Sequence, residues 1–263
     1  MSSRKFMFEG LGQALRFLAS AWSRGWGALV LSSLLIATAL RFRLAAPMSL
    51  PTSLIGLTAL LTFVAVQGGL YRPALGKGPF GRAGLRLGAP ELRMAAVWAL
   101  TAIFMFILFL LAFVVVMAFG FAVASSGHGF VLTKGATWTN GVGLPAKVLV
   151  GLVATASLWG LIWAGAKIAF GAAATIDRDK VLVLATWPET KGLMAPIVGG
   201  RLLLAVIPLA ALAGAGALLL RGTPGDSVMT WVAGLAVGLA ISGLWLPLDV
   251  GLMAYLYHRR LSA

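Results

Sequence analysis

Long apolar stretches, bounded by charged or turn-forming residues, recur six times along the chain. An α-helix needs about 20 residues to cross a bilayer core about 30 Å thick, and these stretches approach or exceed that length. The pattern predicts an all-α, polytopic membrane protein whose six transmembrane helices lie near residues 26–45, 54–71, 92–124, 146–174, 200–220 and 228–256. The third stretch corresponds to about 50 Å of helix, so we expect it to tilt or to extend beyond the lipid.

Amphipathic segments precede some of these spans, near residues 5–24 and 177–192. The stretches "LASAWSRGWGALVL" (18–31) and "LATWPETKGLMAPIV" (184–198) share a tryptophan, a cation and a glycine ahead of an apolar run. A shorter counterpart, "LGAPELRMAAVW" (87–98), precedes the third span. The three stretches together predict three tandem units, each an interfacial helix followed by a membrane hairpin, within a single membrane domain covering 1–263. Alternatively, Trp, Arg and Gly recur there because the membrane surface favours them at any such position.

Composition agrees with this pattern. Hydrophobic residues make up 60% of the chain and charged residues only 11%, against roughly 25% charged in ordinary soluble domains. The chain has no cysteine, which excludes disulfides and thiolate metal sites. Arg16 and Arg24 interrupt the first apolar run, so we expect no removable signal peptide. The abundance of Ala, Gly and Arg favours a bacterium with a GC-rich genome.

Positive charge is divided unequally between the two sides of the predicted membrane. Five cations fall on one side, namely Arg41, Arg43, Lys134, Lys147 and Arg221. Sixteen fall on the other, namely Arg4, Lys5, Arg16, Arg24, Arg72, Lys77, Arg82, Arg86, Arg93, Lys167, Arg178, Lys180, Lys191, Arg201, Arg259 and Arg260. Because cytoplasmic loops carry the excess of Lys and Arg, we expect both termini in the cytoplasm and the protein in the bacterial inner membrane.

The basic side of the membrane predicts contact with anionic lipid, where each nearby cation gains about 1 kcal/mol. The loop after the second span supplies the candidate head-group contacts, which are Arg72, Lys77, Arg82, Arg86 and Arg93. A solvated loop with no bound lipid would have the same composition. Its "GKG" lacks the spacing of a nucleotide-binding P-loop. The cations are scattered over short loops, which argues against a nucleic-acid partner.

Three stretches resemble known membrane proteins. They are "AWSRGW" (21–26), "GLYRPALG" (69–76) and "KIAFGAAATIDRDKVLVLATWPETKG" (167–192). Together they resemble the YciC-like group of six-span bacterial membrane proteins, which includes the membrane domain found ahead of some glycerophosphodiester phosphodiesterases. The resemblance implies the six-span architecture and implies no catalytic residue.

A lysine near the end of the fourth span is a candidate for an intramembrane role. Trp159, Trp163 and Lys167 repeat at i, i+4 and i+8 and therefore share one helical stripe. A lysine beside stacked indoles gains cation-π attraction. The alternative is that the lysine side chain only reaches back to the head groups.

Further polar residues lie at a similar predicted depth. Asp249 follows the helix-kinking Pro247 in the sixth span and is a possible counter-ion for Lys167. Gln67 and Arg201 lie at a comparable level on the second and fifth spans. These residues predict a polar cluster or head-group pocket beneath the cytoplasmic surface. Ordinary pairing between helices is the alternative.

Small residues predict where helices approach one another closely. Gly234 and Gly238 form a G-x-x-x-G pair that Ser242 extends, and such surfaces allow tight packing within lipid. This surface serves either the chain's own bundle, which we favour, or a dimer.

No catalytic constellation emerges from the sequence. The histidines, His128 and His258, fall on opposite predicted sides, which disfavours a two-histidine metal site, and we expect no metal or cofactor. The sequence therefore predicts a non-enzymatic inner-membrane protein that contacts anionic phospholipids. It would act in membrane organisation or as a subunit with other membrane proteins. The alternative is a small permease or lipid carrier with its site near Trp163, Lys167 and Asp249.

Overall fold

The structure is a computed structural model that describes residues 3–45, 49–81, 83–84, 88–126, 144–221 and 227–262. Every regular element within those ranges is a helix. Six helical segments are long and apolar enough to cross a membrane, namely Lys5–Ala45, Leu50–Ala74, Ala89–Val123, Lys147–Arg178, Met194–Leu220 and Val228–Leu261. The predicted all-α fold with six membrane-spanning helices is therefore confirmed.

The α-helices, in chain order, are α1 Ser3–Ala45, α2 Leu50–Ala74, α3 Ala89–Ser126, α4 Leu144–Lys167, α5 Gly171–Arg178, α6 Met194–Arg221, α7 Ser227–Gly238 and α8 Leu246–Leu261. A 3-10 helix, Leu184–Thr190, precedes α6, and a π-helical segment, Leu239–Trp245, joins α7 to α8. The chain forms two compact units. The first unit comprises residues 1–99 and 167–263, and the second comprises residues 100–166.

Helix α1 is the centre of the first unit and packs against α2, α7 and α8. The sequence predicts an amphipathic segment at 5–24 and a separate span at 26–45, but the structure joins them into one helix of about 65 Å. The physical reason is a partner of similar length, since the α7–α8 region runs antiparallel along α1. A Cβ added to Gly10 would lie 2.7 Å from Leu252, so the N-terminal half of α1 already contacts α8.

The G-x-x-x-G surface packs within the chain. A Cβ added to Gly238 would lie only 2.3 Å from the carbonyl oxygen of Ser33 on α1. One turn earlier, a Cβ on Gly234 would lie 3.1 Å from the carbonyl oxygen of Ala37. Only glycine allows the two backbones to approach so closely. Because these glycines face α1, they hold the bundle of a single chain together.

A proline and a tryptophan explain the π-helical segment. Pro247 has no N–H, so the carbonyl of Gly243, four residues earlier, loses its α-helical donor. The N–H of Leu246 donates to Ile241, five residues earlier, which is the π-helical register. The indole Nε1–H of Trp22 on α1 donates to the Gly243 carbonyl at 2.8 Å. The "AWSRGW" stretch therefore supplies the hydrogen bond that the proline removes.

Replacing Trp22 with phenylalanine should lower the free energy of unfolding by about 1 to 3 kcal/mol, because the Gly243 carbonyl then loses its donor. Thermal unfolding of the detergent-solubilised protein measures this change. Trp26→Phe is the matched control and should change stability little, since Trp26 lies on the same helix with 58% of its surface exposed. Equal melting temperatures for the two variants would show that the hydrogen bond does not stabilise the bundle.

The glycines around Trp26 allow a loop to reach α1. The backbone N–H of Ala28 donates to the carbonyl of Ala83 at 2.8 Å. Gly84, with φ of +83°, lies so close to Gly25 that an added Cβ would be 2.6 Å from the Gly25 Cα. Close approach of the backbone thus accounts for the "RGWG" glycines.

The predicted fourth span, 146–174, is divided between α4 and α5 in the structure. The break follows from packing, since the fully buried Phe170 meets Tyr257 edge-on at 5.8 Å between ring centroids. At the start of α5, a Cβ on Gly171 would lie 2.9 Å from the carbonyl oxygen of Leu182. The chain therefore folds back on itself, and a 3-10 helix occupies the middle of the predicted interfacial segment 177–192.

Helix α3, most of which lies in the second unit, is the most apolar of the six candidate membrane-spanning segments. The 18-residue window of highest hydropathy in α3 has none of its residues buried. Phe109 and Phe113 stack on that helix at 6.5 Å between centroids, and both are exposed, as are Leu111 and Val114. Such a surface suits contact with hydrocarbon. The proposed tandem repetition of three hairpin units stays a prediction.

Candidate functional site at the charged end of the bundle

Six ion pairs gather at one end of the first unit, which we call the charged end. They are Arg72–Glu91, Lys77–Asp177, Arg93–Asp179, Arg178–Glu189, Arg201–Asp249 and Arg259–Glu9. They involve the end of α2, the starts of α3 and α6, α5, the 3-10 helix, α8 and the start of α1. Every acidic side chain in the described part of the chain thus has a cationic partner. The seventh acidic residue, Asp226, lies outside the described residues.

The predicted polar cluster is partly assembled around Asp249. Its carboxylate accepts two hydrogen bonds from Arg201, from Nε at 2.9 Å and from Nη2 at 3.3 Å. Asp249 is 2% exposed. The counter-ion of Asp249 is therefore Arg201, whereas the sequence offered Lys167.

Lys167 contacts an aromatic ring from another segment. Its Nζ lies 5.9 Å from the ring centroid of Trp187, in the 3-10 helix. This distance is within the range of a cation-π contact. Trp159 and Trp163, predicted to stack towards the lysine, are 62% and 44% exposed on the second unit. Tertiary packing therefore gives Lys167 an aromatic partner that spacing along α4 does not reveal.

Gln67 is buried one helical turn before Tyr71 on α2. Its Oε1 accepts a hydrogen bond from the indole Nε1–H of Trp98 on α3. Phe63 meets the same indole edge-on, with ring centroids 6.1 Å apart. The buried amide is thereby satisfied, as a polar group away from water requires. Gln67 and Tyr71 share one face of α2, as i and i+4 positions do.

Arg72 and Glu91 form the most buried pair. Arg72 Nε and Nη2 donate to the two carboxylate oxygens at 2.9 and 2.8 Å. The side chains are only 11% and 3% exposed. Gly68 permits the approach, since its missing Cβ would lie 3.4 Å from the Glu91 Cγ. The sequence predicts Arg72 as a lipid contact, but the structure places its guanidinium inside the protein.

The other predicted head-group contacts have different surroundings. Lys77 pairs with Asp177 at 2.9 Å and remains about half exposed. Asp177 also accepts a hydrogen bond from the Tyr257 hydroxyl at 3.1 Å. Arg93 pairs with Asp179 at the surface. Arg82 and Arg86 lie outside the described residues.

Several residues of the charged end carried no clear signal in the sequence. Tyr71 and Arg72 lie within "GLYRPALG", but nothing in that stretch reveals that Arg72 meets Glu91. Arg178 binds Glu189 at 2.6 Å and lies 6.0 Å from the Tyr257 ring centroid. The only signal in the sequence was that acidic residues are rare in this apolar chain, which favours an ion-paired role for each of them.

A second set of cations at the charged end is exposed and has no acidic partner among the described residues. It comprises Lys5, Arg16, Arg24, Lys180, Lys191 and Arg260. Large apolar side chains are exposed in the same segments, namely Phe8, Leu15, Val181 and Leu184. Cations interleaved with exposed apolar groups are typical of segments that bind at a membrane surface.

Exposed cations beside ion-paired acids form an arrangement that can bind anions electrostatically. Within the described ranges, no group of three or more His, Asp or Glu side chains is placed to hold a metal ion. Comparison of the chain with protein-family models, curated proteins and solved structures finds no match. The resemblance to the YciC-like group therefore stays a prediction.

Proposed function

We propose that this protein is a non-enzymatic integral membrane protein that holds a positively charged face against anionic phospholipids. It acts in membrane organisation or as a subunit of a larger membrane assembly. One observation carries the proposal. The described acidic side chains are taken up in ion pairs, while six cations at the same end remain exposed.

Because six acids are neutralised in ion pairs, the six exposed cations add +6 of the chain's net charge of +14 at the charged end. An ion pair is nearly neutral at a distance, so a paired acid repels anionic lipid only weakly. Each exposed cation near an anionic leaflet gains about 1 kcal/mol. The exposed Val181 and Leu184 follow Lys180 closely in the chain. Insertion of apolar side chains into the membrane and attraction of the cation to lipid head groups therefore act at the same place. The charged end therefore suits a surface of lipid head groups.

The same asymmetry supports a place in the bacterial inner membrane with both termini in the cytoplasm. Both chain ends approach the charged end, since Arg259 lies 3.8 Å from Glu9 and the Tyr255 hydroxyl donates to Glu9 at 2.8 Å. Cytoplasmic segments carry the excess of Lys and Arg. The proposal therefore orients the charged end towards the cytoplasm.

A permease or lipid carrier with its site near Trp163, Lys167 and Asp249 has less support. Such a site needs polar groups available to a ligand, and Asp249 is held by two hydrogen bonds from Arg201. Breaking a buried pair to admit a substrate costs several kcal/mol.

Replacing Lys180 and Lys191 together with glutamine should weaken the preference of the protein for anionic lipid by about fivefold or more. Electron spin resonance of proteoliposomes measures this preference, as the fraction of spin-labelled phosphatidylglycerol or phosphatidylcholine immobilised by the protein. The effect should shrink as salt is added, since surface charges are screened.

The matched control is the double substitution Arg41→Gln/Lys147→Gln, which also removes two positive charges, at positions that the sequence predicts on the other side of the membrane. This control should leave the measured preference for phosphatidylglycerol over phosphatidylcholine nearly unchanged. A Lys180→Gln/Lys191→Gln protein that folds and keeps its full lipid preference would contradict the proposed function.

A further inference from the structure

A groove lies at the end of the first unit opposite the charged end, where α1 finishes and α2 begins. Its volume is about 540 Å³, within the range of small-ligand pockets. It runs between α1 and α2 and reaches Ile241 of the π-helical segment. No residue of the charged end lines it, so it is a separate feature of the molecule.

Small residues on the facing helices open the groove. Ala39 of α1 and Gly56 and Ala59 of α2 line it. A Cβ added to Gly56 would meet nothing within 4 Å, so the space above this glycine is open. Glycine in a helix interior costs stability relative to other residues, and here it keeps open a space that a larger side chain would fill.

The groove has the depth of one lipid leaflet. Its lining on α2 extends from Thr52 to Phe63, eleven residue steps or about 17 Å along the helix. A bilayer core about 30 Å thick has leaflets of about that depth. Farther from Arg43 and Thr52, the groove is lined by the apolar side chains of Ile36, Leu40 and Phe63.

The rim of the groove is polar and positively charged. Arg43, in the last turn of α1, and the hydroxyl residues Thr52 and Ser53, in the first turn of α2, line it. Arginine matches the geometry of phosphate oxygens. The hydroxyls of Thr52 and Ser53 donate within the protein, to the carbonyls of Phe42 and Ser49, so Arg43 supplies the charge at the rim. A cation above an apolar cleft complements a molecule with an anionic head and a hydrocarbon tail.

We propose that this groove binds one phospholipid from the membrane leaflet on the side opposite the charged end. The phosphate lies against Arg43 and one acyl chain runs between α1 and α2 towards Phe63. Charge complementarity favours this occupant, because Arg43 is at the rim of a mostly apolar cleft and no acidic residue is among the residues that line it.

Gly56→Leu tests the proposal by filling the groove from within. Leucine favours a helix over glycine and meets open space, so the variant should fold. Gly214→Leu is the matched control, because Gly214 is an exposed helix-interior glycine of α6 whose Cβ would also meet nothing within 4 Å. Melting temperatures no lower than that of the parent protein establish that both variants are intact.

The measurement is native mass spectrometry of delipidated protein titrated with palmitoyl-oleoyl phosphatidylglycerol and with the matching phosphatidylcholine. We expect one tightly held phospholipid on the parent chain and on Gly214→Leu, and at least tenfold weaker retention on Gly56→Leu. Arg43→Gln should weaken retention severalfold, whereas Arg41→Gln should not. Arg41 lies over the Trp231 ring, 5.0 Å from its centroid, and is absent from the groove lining.

Two outcomes would overturn the proposal. One is equal phospholipid retention by Gly56→Leu and the parent chain. The other is a dimer of the parent chain that Gly56→Leu dissociates, since the groove would then hold a second copy. The result is independent of the charged end, because Lys180→Gln/Lys191→Gln leaves the groove intact and should retain the tightly held lipid.

Discussion

Replacing Glu91 with leucine should lower the free energy of unfolding by about 3 to 5 kcal/mol, the largest effect expected of any single charge in this chain. The substitution leaves the Arg72 guanidinium, which is 11% exposed, without its bidentate partner. The cost arises from an uncompensated buried charge. Thermal unfolding in a neutral detergent, supported by trypsin resistance of the folded protein, measures the loss.

Two further variants identify the cause. Arg72→Met/Glu91→Leu removes both charges and should recover most of the lost stability, because a buried ion pair is often replaceable by apolar side chains of similar volume. Arg93→Gln breaks the pair with Asp179, which is 71% exposed, and should cost no more than about 1 kcal/mol. If the double variant is no more stable than Glu91→Leu, the buried charge is not the cause and the structural role of the pair is wrong.

Replacing Gly238 with leucine should also destabilise the bundle, by about 1 to 3 kcal/mol or more. A Cβ at this position would lie 2.3 Å from the carbonyl oxygen of Ser33 and 3.0 Å from its carbon, so α1 and α7 must separate. The neighbouring hydrogen bond between the Ser32 and Ser242 hydroxyls, 2.9 Å long, would then break. Chemical unfolding followed by tryptophan fluorescence reports the change.

Gly214→Leu is again the appropriate control, since it adds the same side chain to an open position on α6. The control should unfold like the parent chain or slightly later. The two variants also separate the roles that small-residue surfaces can play. A Gly238→Leu protein that keeps monomer stability and loses only an oligomer would place this surface between chains instead of inside the bundle.

The residues of the charged end show how far sequence reasoning extends. Gln67, Arg201 and Asp249 were predicted at one depth, and depth follows from position along a helix of known rise. Arg201 and Asp249 do meet. Lys167 also contacts the ring of Trp187, 20 positions away in the chain and in a different element. Which helix neighbours which is a lateral property that spacing along one helix does not encode.

Arg72 gives the same lesson from the opposite direction. Its position after the second span is typical of a head-group contact, and a solvated loop fits that pattern equally well. In the structure, the guanidinium instead donates two hydrogen bonds to the carboxylate of Glu91, on the following helix. The groove near Arg43 was also invisible in the sequence, because small residues of α2 such as Gly56 and Ala59 line a cavity only when a second helix, here α1, packs opposite them.

The sequence by itself determined the number of membrane-spanning helices and the unequal division of positive charge. Both are additive properties, because each span must be apolar enough for hydrocarbon whatever its neighbours are. Only the tertiary structure decided which acid meets which cation and which glycines touch a backbone. It also decided how Trp22 satisfies the carbonyl that Pro247 leaves open. Those features depend on distances between helices of a few ångströms, and such distances are set by the packing of the whole bundle.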